Sequence, residues 1–122
     1  MASSRAEALR TTASATFALQ EVIACWNQGY EALAQGDIER VTALLEIAED
    51  HLANAGAGEA DTPEQANLRD QARAARGRLE HGVKAGLDAI RAELGQTRRG
   101  AKALRGYGDA SRRLGGNVEK SV

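Results

Sequence analysis

Aromatic side chains are scarce in this sequence: one Trp, two Tyr and one Phe among 122 residues. A core must therefore be assembled from smaller aliphatic groups. A single proline leaves little to interrupt helices. A single cysteine, Cys25, excludes an internal disulfide and fits a reducing compartment. Val and Ile are few, and no segment alternates apolar and polar residues as a half-buried strand does. No run of about 18 apolar residues is present, so no membrane insertion is expected. The N-terminal segment contains Ser and Arg, but Glu7 is acidic and no apolar run precedes a cleavage site. Cytoplasmic location is the expectation.

What is abundant is Ala, Leu, Glu and Arg, a mixture that favours helix at most positions. At 12.9 kDa the chain is one domain at most. The formal net charge is −1 but unevenly spread. Residues 1–90 hold 14 acidic and 8 basic side chains, whereas residues 91–122 hold 3 acidic and 8 basic. A basic end on an acidic body signals either a local electrostatic task or a solvated tail.

Residues 1–12 are small and polar and are expected to be flexible. From about Ala13, the residues Leu19, Val22, Ile23, Trp26, Tyr30 and Leu33 form one helical stripe reaching Gln35. Gly36 and Asp37 then fit a helix end followed by an N-cap. A second stripe follows at heptad spacing: Ile38, Val41, Leu45, Ala48 and Leu52, widened by Leu44. The two stripes are out of phase across Gly36, which favours a turn over a kinked continuous helix. Residues 55–62 read as a loop, and Thr62-Pro63-Glu64-Gln65 as a helix start with a capping box. From there Leu68, Ala72, Ala75, Leu79, Val83, Leu87, Ile90, Leu94, Ala101 and Leu104 keep a helical period for about forty residues. The predicted helices are 13–35, 37–54 and 63–105, with 106–122 a flexible basic tail. The expected fold is all-α: an antiparallel three-helix bundle, or a long helical hairpin or coiled coil.

Five glycines, at 77, 82, 86, 95 and 100, interrupt the third helix. Each costs about 1 kcal/mol against Ala at an exposed site. They serve close packing, or they keep the helix marginal until a partner binds. No catalytic residue and no metal site is expected. His51 and His81 fall on different helices without clustered ligands, and Cys25 lacks a base and an orienting group. Neither a dinucleotide nor a phosphate-loop glycine pattern occurs, so no cofactor is expected and the chain does not read as an enzyme.

The basic cluster Arg98, Arg99, Lys102 and Arg105 has only Tyr107 as a stacking face beside it. Cations near a helix C-terminus explain most of this, and nucleic acid is the weaker partner class. Trp26 and Tyr30 share a face of the first helix, as core residues or as anchors for a partner helix.

The step Ala32-Leu33-Ala34-Gln35-Gly36-Asp37, the Leu/Glu-rich run Ile38 to Glu46, and the ending Arg98-Arg99-Gly100-Ala101-Lys102-Ala103-Leu104-Arg105-Gly106-Tyr107-Gly108 together resemble the FlgN-like, and more loosely the FliT-like, flagellar export chaperones. The resemblance covers roughly residues 15–108. It implies a protein without catalysis that holds an amphipathic C-terminal helix of a hook–filament junction protein and passes it to the export apparatus. Carried onto this chain, it implies client binding by Val83, Leu87, Ile90, Leu94 and Leu104, to which the residues themselves add Trp26 and Tyr30 as anchors. Arg98, Arg99, Lys102, Arg105 and Tyr107 would serve docking. The competing classes are a self-assembling structural coiled coil, including a homodimer, and a nucleic-acid module using the basic segment.

Overall fold

In the computed structural model the backbone is described for residues 2–59, 61–94 and 98–116, and side-chain surroundings for 14–59, 61–93 and 101–115. The protein is all-α, with four helices among the described residues: α1 (Ala2–Ala34), α2 (Ile38–Ala55), α3 (Pro63–Leu94) and α4 (Arg98–Gly116).

The α1–α2 corner is a turn. Gly36 sits at φ 77°, a conformation that strains residues bearing a Cβ. It lets the Gly36 N–H donate to the Leu33 carbonyl at 3.0 Å and the Asp37 N–H to the Ala32 carbonyl at 2.9 Å. This pair of bonds is a Schellman cap, which satisfies the last carbonyls of α1. The Asp37 carboxylate then accepts the Arg40 N–H at 3.2 Å and caps α2. α2 lies back along α1, burying Val41, Leu44, Leu45, Ala48, Leu52 and Ala55.

The capping box at α3 forms reciprocally. The Thr62 hydroxyl accepts the Gln65 N–H at 3.1 Å, and the Gln65 side-chain oxygen accepts the Thr62 N–H at 3.0 Å. Gln65 Nε2 also donates to Thr16 Oγ1 at 3.2 Å, which pins the start of α3 beside α1. Buried Arg69 secures the preceding loop, pairing with Asp61 and donating to the Ala55 and Gly56 carbonyls, both at 3.1 Å.

α3 therefore starts level with Thr16 and runs parallel to α1. Leu79 packs on Gly29, and Leu33 packs on Gly82. From Gly82, level with the α1–α2 turn, α3 continues twelve residues to Leu94, roughly 18 Å at 1.5 Å per residue. α4 then descends beside α3 and α2. Gly106 meets Ile38 and Tyr107 meets Gly86; further down, Leu114 meets Arg76. Each helix packs against two others, α1 and α4 each touching both α2 and α3, so two antiparallel hairpins lie side by side. The shared core contains Val22, Trp26, Val41, Leu45, Ala48, Leu79, Val83, Ala110 and Leu114, and Ala18, Leu19 and Ala55 form a smaller cluster at the lower end.

Three boundaries differ from the sequence expectation. The third helix does not run through 63–105 but ends at Leu94, and a fourth begins at Arg98; the connection at 95–97 lies outside the described residues. The stretch 106–116 is helical and packed, not a free tail. Its glycine density conceals a stripe of Ala103, Tyr107, Ala110 and Leu114, and burying that stripe outweighs the poor helix propensity. Residues 117–122 lie outside the described residues. α1 is helical from Ala2 rather than from about Ala13, as the helix-favouring run Arg5-Ala6-Glu7-Ala8-Leu9-Arg10 allows.

Candidate functional site

The residues expected to bind a partner fall into three groups. Val83 and Leu87 face inward, and Trp26 is 2 % exposed within the core. These are structural positions, since the chain's own helices cover them. Ile90 and Leu104 are half-buried on the part of the α3–α4 pair that rises above the α1–α2 turn, and Tyr30 is 45 % exposed near Gly82 on the flank of that rise. The side chains of Leu94, Arg98 and Arg99 lie outside those described. Lys102 and Arg105 are exposed. Tyr107 is not a free docking side chain: its ring lies over Gly86, so closely that a Cβ there would collide with it.

The step between the short hairpin and the tall one leaves a groove of about 290 Å³, lined by Ile38, Glu39, Lys102, Ala103 and Gly106. Ile38, Ala103 and Gly106 make its floor apolar, and Glu39 and Lys102 put one charge of each sign on its rim. The first turn of α2 supplies Ile38 and Glu39 because the Asp37 cap fixes where that helix begins. Gly106 brings α4 close: a Cβ there would stand 3.2 Å from Ile38 Cγ2. Such a site suits an apolar side chain on a partner helix. A second cavity, of about 380 Å³, lies on the other side of the same turn and is lined by Gln28, Glu31, Ala32, Gln35, Asp37 and Arg40.

Two arginines hold the lower half of α4. Arg76, 5 % exposed, donates from Nη2 to the Leu114 carbonyl at 2.7 Å, while its buried Nε has no hydrogen-bond partner. Burial pushes the Arg76 guanidinium below its ordinary pKa, partly offset by Glu80. Arg113 reaches Glu46 at 3.1 Å and Glu49 at 3.3 Å on α2, and Asp109 at 3.2 Å on α4. The hydrogen bond that Arg113 donates to Asp109, with the three carboxylates around it, raises its pKa despite some desolvation.

The sequence pointed to Lys102 but missed Ile38, Glu39, Ala103 and Gly106, because a groove between α2 and α4 requires α4 to fold back. The inward position of Arg76 has a sequence signal, since Arg69, Arg76 and Val83 repeat at heptad spacing along the buried side of α3. Among the described residues no three His, Cys, Asp or Glu side chains converge as metal ligands, and no helix is long and apolar enough to cross a membrane. Cys25 is buried, and its thiol is pushed above the ordinary value by desolvation and then by Glu21. Comparison with protein families, with curated proteins and with solved structures finds no match for this chain.

Proposed function

We propose that this chain is a cytoplasmic helix-binding protein of the flagellar export chaperone kind, which holds an amphipathic helix of a hook–filament junction-type client. The observation that carries the proposal is the groove at Ile38, Ala103 and Gly106. It offers an apolar floor between charged rims, beside a helix pair that projects past its neighbours. A client helix lying against that projection would bury one apolar side chain in the groove. Its neighbours one turn away would meet half-buried Leu104 and the exposed cations Lys102 and Arg105. Affinity of this kind comes from buried apolar area and orientation from the rim charges. No bond is made or broken and no cofactor takes part. The step from Ala32 to Glu46 and the ending from Arg98 to Gly108, which resemble the export chaperones, support the same reading. The second of these runs contributes three of the five residues lining the groove.

Co-expression with the junction proteins encoded in the same genome tests this. A soluble complex of one chain with one client, which survives gel filtration, is the expected result. Failure of every junction protein to co-purify would overturn the flagellar reading.

A further inference from the structure

The two hairpins carry opposite charge. Residues 14–59, which include all of α2, hold eight carboxylates and one arginine, a net of −7. Residues 61–116, α3 and α4 with the turn before them, hold twelve cations and seven carboxylates, a net of +5. Part of this opposition is satisfied inside the molecule, where Arg113 of α4 pairs with Glu46 and Glu49 of α2; the remaining charges are left on the surfaces of the two hairpins.

The acidic side also carries two large exposed apolar side chains, Phe17 at 58 % and Ile47 at 47 %. The Phe17 ring stands edge-on to His51 at 6.3 Å, and His51 follows Ile47 by one turn on α2. The two apolar groups thus flank the outer seam between α1 and α2, with Glu21 and Asp50 following them on the same helices. On the basic side, apart from the cations beside the groove, Lys84 and Arg91 of α3 and Arg112 of α4 are exposed. Arg112 keeps only a loose 3.6 Å pairing with Asp109.

We propose that copies of this chain associate head to tail, the Phe17–Ile47 seam of one copy docking on the basic α3–α4 side of the next. A face-to-face pairing of two acidic seams would set like charges together, which argues for the heterologous arrangement. That arrangement leaves one unused face at each end, so assembly grows with concentration instead of stopping at a pair. Aliphatic stems of the basic side chains would cover Phe17 and Ile47 while their heads meet the carboxylates. The Phe17–Ile47 seam and the side bearing Lys84 and Arg112 share no residue with the Ile38–Ala103 groove, so the association is separable from client binding.

Sedimentation velocity on the full chain tests this. At low salt the average mass should rise with concentration above the 12.9 kDa monomer, and return to it in about 0.5 M salt, where charge attraction is screened within a few ångströms. A double variant on the acidic side, Glu21→Lys with Asp50→Lys, should stay monomeric alone. So should one on the basic side, Lys84→Glu with Arg112→Glu. Mixed, the two should associate again, since each retains the face the other lacks and the two reversed faces are themselves complementary in charge. Should the lysine variant fail to fold, Phe17→Ser, at an exposed position, provides the same test through the apolar contact. A monomer at every concentration in low salt overturns the proposal, as does association unchanged by the variants, or a mixture that stays monomeric.

Discussion

The buried Arg76 guanidinium donates to the backbone carbonyl of Leu114, thirty-eight residues away, at 2.7 Å. That carbonyl belongs to the last turn of α4, where no intrahelical N–H remains to satisfy it. A charged side chain from α3 thus supplies the C-terminal cap of α4 and closes the bundle over Ala110 and Leu114.

Arg76→Ala should therefore unseat α4. It leaves the Leu114 carbonyl without its donor and opens a cavity, a loss of about 2–3 kcal/mol. Urea denaturation measures the loss, and hydrogen exchange should show faster opening at 107–114 than in α2. The exposed Arg91→Ala should stay within about 0.5 kcal/mol of the parent.

Two glycines of α3 should respond in opposite directions to the same change. At Gly77 an added Cβ meets nothing within 4 Å, so Gly77→Ala should gain about 0.5–1 kcal/mol from helix propensity. At Gly86 the Cβ would strike the Tyr107 ring, so Gly86→Ala should displace Tyr107 and lower stability by about 1–3 kcal/mol. Thermal unfolding of the two variants side by side decides it.

Thr62→Ala removes the hydroxyl that accepts the Gln65 N–H and loosens the Gln65 clamp on Thr16. A loss of about 1 kcal/mol is expected. Thr62→Ser should recover most of it.

The Cys25 thiol should resist thiol-specific reagents in the native protein and react readily once unfolded. Its pKa is raised in the folded state above the ordinary 9.0, so between those two values the unfolded chain loses a proton that the folded one keeps. Stability should therefore decline as pH rises from about 9, a dependence that Cys25→Ala should weaken.

Legibility in the sequence followed how local the determining interaction was. The Gly36-Asp37 turn and the Thr62–Gln65 box are settled within a few residues, and both were readable. The all-α class followed from composition and periodicity. The break between α3 and α4 was not readable, because the apolar period of α3 carries on in phase to Leu104. Only long-range contacts, Tyr107 on Gly86 and Arg76 on Leu114, distinguish a helix folded back from one that continues. The same fold-back explains the site residues. Val83 and Leu87 looked like an open apolar face and are instead covered, and the open groove is left higher up, between Ile38 and Ala103.

The most direct test of helix binding at that groove is a binding titration. A labelled C-terminal helical segment of the junction protein that co-purifies would be titrated with the parent chain and with Ala103→Trp, whose indole fills the groove. Matched circular dichroism would show that both chains are folded. Binding by the parent, weakened at least about tenfold by Ala103→Trp (1.4 kcal/mol or more), is the predicted result. Equal affinity for the two chains would contradict it and place the client elsewhere on the bundle.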